Sequence, residues 1–329
     1  MPNHSAPSAR TVETCCPDAP GTFIETREFR RFAEFCDACR RYRYIGLCYG
    51  PPGVGKTLGA RRYTDWEPIE ALPPLLREAP LEAIQAQLQA CTVLYTAPAV
   101  NSPGMVEREI GALRHRLHDL VLEPLRREEQ DAFELSRQQE LQRQKERNAL
   151  LWKHDWFSAT PVPDVPRIGP SHQELSQEFE QRRRCLPDPT TLVVIDEADR
   201  LRMATLEVAR AIFDRGNIGL VLIGMPGMEK RLARYPQFYS RVGFVHAFRA
   251  LGTAEVRALL REGWSPPGVC LPPLDDEAVT AIIRMTGGNF RLLDRLLSQS
   301  ERIVQLNSLS CVTRQAVEAA RESLVIGQS

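Results

Sequence analysis

Nowhere in these 329 residues do eighteen apolar residues run without interruption, so no membrane-spanning helix is predicted. Charge of one sign is also missing: Lys and Arg total 42, Asp and Glu total 42, and the formal net charge is zero. A chain so balanced has no overall attraction for polyanions, so any nucleic-acid contact must come from a local basic stripe. The opening residues Met1-Pro2-Asn3-His4-Ser5-Ala6-Pro7 carry no apolar core. A signal peptide is therefore not predicted, and a cytoplasmic location is expected. The nine cysteines are odd in number and widely spread, which argues against a disulfide framework and for free thiols. Cys36-Asp37-Ala38-Cys39 has the spacing of a metal knuckle. It falls in a segment that reads as helix, however, and no second knuckle accompanies it, so packed thiols are expected there.

Glycine and proline almost vanish between residues 105 and 151, where only Gly111 and Pro124 occur. The stretch is rich in Glu, Arg, Gln and Leu, and a long helix or helical hairpin is predicted. It holds nine Lys/Arg and ten Asp/Glu, a difference of minus one. A solvated helical pair or partner-docking surface fits that balance better than a basic arm does.

What is present is concentrated in residues 50–57, Gly50-Pro51-Pro52-Gly53-Val54-Gly55-Lys56-Thr57. This is the G-x-x-x-x-G-K-[ST] spacing of a phosphate-binding loop. The apolar run Tyr44–Tyr49 before it reads as a buried strand, and Leu58–Tyr63 after it continues as a helix, which is the setting the motif requires. Glycines let backbone N–H groups turn inward around phosphates, and the following helix N-terminus adds favourable partial charge. Gly50 to Leu58 are thus the predicted nucleotide-binding residues. Lys56 is expected to reach the β- and γ-phosphates and Thr57 to ligate Mg²⁺. A second motif, Val193-Val194-Ile195-Asp196-Glu197, places two carboxylates after an apolar strand. Asp196 is expected to hold Mg²⁺, and Glu197 to act as general base on the attacking water. Arginines commonly complete such sites. Arg241, just before a short strand, is the candidate to reach another subunit, and Arg291 the candidate to act from a C-terminal helix.

The periodicity predicts a helix from about Glu25 to Arg41 and strands near 44–49, 91–96, 191–195, 218–223 and 242–246, alternating with helices. Prolines at 161, 163, 166 and 170 suggest a semi-rigid connector. Beyond about Gly252 the pattern is helical only. The expected fold class is α/β: a parallel five-stranded sheet flanked by helices, with a C-terminal helical lid. The expected divisions are a disordered arm at 1–21, a nucleotide-binding domain at 22–250 with a helical insertion at about 101–188, and the lid at 251–329.

With those motifs placed, the chain resembles the AAA+ class of P-loop NTPases, Gly287-Gly288-Asn289-Phe290-Arg291 being similar to its sensor-2 motif. More narrowly it resembles the transposition regulators of the TniB and TnsC kind, with MuB more distant. The residues that carry this are Gly46–Thr57, Asp196-Glu197-Ala198-Asp199-Arg200-Leu201, Leu222–Leu232 and Tyr235–Phe244. The resemblance implies an ATPase using ATP and Mg²⁺, slow and switch-like, that forms a homo-oligomer when ATP-bound. It implies sequence-tolerant binding to duplex DNA, a transposase partner and a target-selection adaptor, and no membrane. An ATPase scaffold acting on a protein partner, in signalling or as a chaperone, is the alternative. The family often carries a polar sensor at the end of the fourth strand. Here Gly224 and Met225 stand there, with Asn217 or Asn101 as candidate substitutes. The arginines offered for DNA phosphates are Arg40, Arg41, Arg43, Arg108, Arg114, Arg116 and Arg182 to Arg184.

Overall fold

A computed structural model describes residues 23–87, 91–153 and 164–324. The arm predicted at 1–21 and part of the proline connector lie outside the described residues. The chain divides into two compact units, one of 35–48 with 60–246, the other of 1–34 with 49–59 and 247–329.

The first unit is built on a sheet. Helix α1 (Arg27–Tyr42) turns Phe35, Cys36 and Cys39 inward, all nearly inaccessible, and leads into β1 (Ile45–Tyr49). After α2 (Lys56–Thr64) come the short α3 (Glu67–Ala71) and α4 (Leu81–Gln87), then β2 (Thr92–Thr96). Helix α5 (Pro103–Lys153) and α6 (His172–Cys185) precede β3 (Leu192–Asp196). Helix α7 (Met203–Arg215) leads to β4 (Gly219–Gly224), and α8 (Met228–Ala233) and α9 (Pro236–Tyr239) lead to β5 (Val242–Ala247). The strands form one parallel sheet in the order β2-β3-β4-β1-β5. Its central register pairs Val193 with Val93 and with Leu220. Strands β3 and β4 are buried along their whole length, as continuous apolar runs covered on both faces must be. Gly46 in β1 is required by close packing, since a Cβ there would lie 2.3 Å from Cys39 Sγ. Burial pushes the Cys36 thiol up, so it stays protonated.

Helix α5 settles the choice left open for residues 105–151: it is one helix of 51 residues, about 76 Å of axis. Its first half buries Val106, Ile110, Leu117 and Leu120. Pro124 lies inside it, and from there α6 packs alongside through Leu125, Leu175 and Phe179. Helix α6 starts with a capping box, Ser171 accepting from the Glu174 N–H and Glu174 accepting from the Ser171 N–H. Ion pairs lace the two helices: Arg182 with Glu128 at 2.6 Å, and Arg183 with Glu129.

In the second unit, α10 (Thr253–Arg261), α11 (Asp276–Thr286), α12 (Phe290–Leu306) and α13 (Arg314–Glu322) bury Val256, Ile282, Leu293, Leu296, Leu297 and Val317 together. Asp275, Asn289 and Thr313 cap three of these helices with side-chain oxygens. Six described cysteines are free thiols, as expected, but Cys270 is disulfide-bonded.

Candidate nucleotide site

The phosphate loop has the backbone its glycines imply. Gly53 (φ 80°) and Gly55 (φ 103°) both lie in the left-handed region. Gly53 is doubly constrained, because a Cβ there would meet Asn289 Oδ1 at 2.6 Å and Arg291 Cβ at 2.7 Å. Lys56 Nζ donates to the carbonyls of Gly50 (2.6 Å) and Pro51 (2.8 Å). Thr57, in the first turn of α2, is exposed. The start of α12 is bonded to the same loop: Asn289 Nδ2 donates to Pro52 O (2.8 Å), and the Arg291 N–H donates to Gly53 O (3.1 Å). Arg291 itself is exposed and pairs with no carboxylate among the described residues. The start of α12, where Arg291 was expected to act, thus lies against the loop, and the sequence gave no hint that Asn289 would grip it.

Beside the loop lies an apolar cavity of about 530 Å³, lined by Phe29, Val54, Leu58, Phe248, Trp264 and Phe290 among others. Its flat aromatic walls suit a planar ring system, and it reaches Val54, Gly55 and Leu58 of the loop segment. Nothing in the sequence marked this cavity, because its walls come from segments far apart along the chain.

The acidic pair belongs to the sheet unit. Asp196 ends β3 and is 2% exposed. One carboxylate oxygen accepts from the Glu197 N–H at 2.9 Å, while the other is buried without a hydrogen-bond partner among the described residues. An orphaned buried carboxylate oxygen is unfavourable unless a cation or donor meets it, so this group fits a divalent metal. Glu197 is held at φ 55°, a left-handed conformation that costs a non-glycine residue about 1–2 kcal/mol. That turn leaves Glu197 partly exposed beside Arg200 at 3.6 Å. Two residues that the sequence marked only as part of the family likeness hold the segment in place. Asp199 accepts from the Met225 N–H at 3.1 Å, and Arg231 donates to the carbonyls of Asp199, Ala198 and Leu201. Gly224 leaves room for this, since a Cβ would approach Asp199 Oδ1 to 3.0 Å.

The sensor substitutes fare differently. Asn101 donates to the carbonyls of Pro98 (3.0 Å) and Arg200 (3.3 Å), tying the loop after β2 to the acidic turn. Asn217 precedes β4 and so stands at the amino end of the parallel sheet, a whole strand from Asp196 at the carboxyl end, and cannot position water there. Arg241 is bound within its own chain: Nε donates to Asp214 at 2.6 Å and a terminal nitrogen donates to Gln237 O at 2.5 Å.

Over residues 39–232 the chain matches the family described as AAA domain. A Staphylococcus aureus protein, "Potential ATP-binding protein", is 37% identical over 314 residues, covering 93% of this chain and 97% of its own length. Among solved structures, the Aeropyrum pernix ORC1 protein in complex with DNA shares 20% identity at a TM-score of 0.45, covering 92% of this chain and 66% of that one. The Thermotoga maritima RuvB Holliday junction branch migration motor shares 14% at a TM-score of 0.44, covering 92% and 71%. The family match takes in the acidic pair and more than half of the chain, and the bacterial relative is similar almost end to end, so this chain belongs to the AAA domain family.

Proposed function

We propose that this chain is an ATP-dependent DNA-binding ATPase that regulates transposition, assembling on target DNA as an ATP-bound homo-oligomer and recruiting or activating a transposase. The observation that carries the nucleotide half is the Asp196 oxygen buried without a partner among the described residues, in a chain that also carries a complete phosphate loop. Thr57 and Asp196 are the residues that would hold Mg²⁺, which when bound neutralises charge on the β- and γ-phosphates. The chain's own groups supply the rest. Backbone N–H groups from Gly53 to Thr57 bind phosphate oxygens, and Lys56 exchanges its two loop carbonyls for the phosphates. Glu197 takes the proton of the attacking water. Arg241 from a neighbouring subunit and Arg291 from the lid offset the charge that spreads over the transferring group. The end of β4 offers Gly224 and Met225 rather than a polar side chain, which suits slow turnover.

The DNA and transposition half rests on the sequence likeness in Leu222–Leu232 and Tyr235–Phe244 to the TniB and TnsC kind of regulator. One observation favours a protein partner instead: the outer part of α5 exposes Leu135, Leu141 and Trp152, the last at 90%. Retention of labelled duplex DNA with ATP, with ADP and without nucleotide separates the readings. The switch requires ATP-dependent retention that falls steeply with salt. Equal retention in all three conditions would overturn it.

A further inference from the structure

Most arginines that the sequence offered for DNA are already engaged. Arg40 pairs with Asp37 at 2.7 Å, Arg114 with Asp188 at 2.5 Å, Arg182 with Glu128, Arg183 with Glu129 and Arg184 with Glu180. Arg116 donates to the carbonyls of Leu72, Pro73 and Pro74. Arg108 is exposed on α5 and has no carboxylate partner among the described residues, Glu107 being paired with Arg215 and Glu109 accepting from Tyr95. Arg41 and Arg43 are also exposed and without a carboxylate partner among the described residues, and unlike Arg108 they stand together, two residues apart.

They share their surface with aromatic rings. Tyr42 is 56% exposed and Tyr44 46%. The Arg41 guanidinium lies 5.5 Å from the centre of the Tyr42 ring. Tyr44 rests on β5 at Gly243, where a Cβ would come within 2.4 Å of its ring, and both tyrosines flank Phe244 at 6.0 and 5.8 Å between centroids. Two unpaired cations alternating with two exposed phenols make a surface for a polyanion that also presents hydroxyl acceptors and flat apolar edges.

The backbone here is held against its preference. The Tyr44 N–H donates to Cys39 O at 3.3 Å, the bond that closes a helix by a Schellman turn, and Arg43 occupies the left-handed position at φ 56°. Glycine is the usual residue at that position, and arginine there is strained. A strained, exposed, unpaired arginine is kept at a cost to folding, which points to a use outside the fold.

We propose that Arg41, Tyr42, Arg43 and Tyr44 form a contact for the phosphate backbone of duplex DNA, an assignment that rests on the DNA-binding reading given above. Arg41 and Arg43 neutralise phosphates, the tyrosine hydroxyls donate to phosphate oxygens, and the rings pack against sugars. No base is read, so binding tolerates any sequence.

The test is anisotropy of a labelled duplex with the full chain, ATP and Mg²⁺ across a salt series. An Arg41→Ala/Arg43→Ala double variant is expected to bind on the order of tenfold or more weakly, with the log–log salt slope reduced by about 2. Arg43→Gly is expected to raise the thermal midpoint and yet weaken DNA binding, a pairing that a purely structural arginine would not produce. Binding of a fluorescent ATP analogue checks the fold of each variant. If wild type binds duplex and both variants bind it equally with the same slope, this surface is not the contact, and the DNA-binding reading survives. If the variants lose self-association while DNA affinity is unchanged, the surface serves a second copy of the chain and the proposal is overturned. If wild type binds no duplex at all, the reading itself fails.

Discussion

At the scale of single residues, the site is a set of charges whose partners decide what each can do. Lys56→Ala removes the cation of the phosphate loop and is expected to weaken ATP binding by about 2–3 kcal/mol, on the order of 100-fold, measured by titration with a fluorescent analogue. Glu197→Gln keeps the shape of the acidic turn but cannot accept a proton. Hydrolysis is expected to fall by roughly 10²- to 10⁴-fold while ATP affinity stays, and unchanged turnover would remove the general-base role. Arg241 has a competitor. Its pair with Asp214 is only half-buried, so losing it changes stability by less than about 1 kcal/mol, and a phosphate can displace the carboxylate. Asp214→Asn is therefore expected to raise hydrolysis at low protein concentration, and to do nothing in an Arg241→Ala background. Equal effects in both backgrounds would show that Asp214 acts elsewhere. The phosphate loop and the strand-end turn at Asp196-Glu197 were legible in the sequence as local structure because each motif is local and its spacing is fixed by backbone geometry, and Arg291 was legible as the first turn of a helix. The Asp214 partner of Arg241 was not, because an ion pair across 27 residues leaves no spacing signature. Asn217 failed as a sensor for a topological reason: strand direction, not composition, decides which end of the sheet a loop occupies.

At the scale of elements, the boundaries followed from local chemistry. Continuous β-branched runs became the buried strands, and capping residues fixed the starts of α6, α11, α12 and α13. Helix α5 was legible as helix but not as one piece, since Pro124 would ordinarily end it. Packing on both sides of the proline carries the helix through. Arg127 shows how: it pairs with Glu123, 4% exposed, at 3.1 Å and donates to the carbonyls of Leu76 (2.8 Å) and Ala79 (2.7 Å). Arg127→Ala leaves a buried carboxylate with only the distant Arg126 at 3.9 Å, and frees two carbonyls. A loss of about 3 kcal/mol in chemical denaturation is expected. A loss below about 0.5 kcal/mol would mean that water satisfies the site, as at an ordinary surface position.

At the scale of the whole molecule, net neutrality conceals local imbalance. The 42 positive and 42 negative groups cancel in sum, and most arginines of the α5–α6 pair cancel against neighbours as well. Composition alone therefore understated the positive surface at Arg41 and Arg43, which only the census of ion pairs uncovers. The membership of the phosphate loop in the unit of the C-terminal helices was not legible either. The phosphate loop belongs by its contacts with the C-terminal helices, although in sequence it stands beside β1. That grouping has a mechanical side. Asn289 and the Arg291 amide hold two consecutive carbonyls of the loop, and both sit at the first turn of a seventeen-residue helix. Any ligand that reshaped the loop would therefore pull on the short arm of a lever whose long arm is the rest of α12.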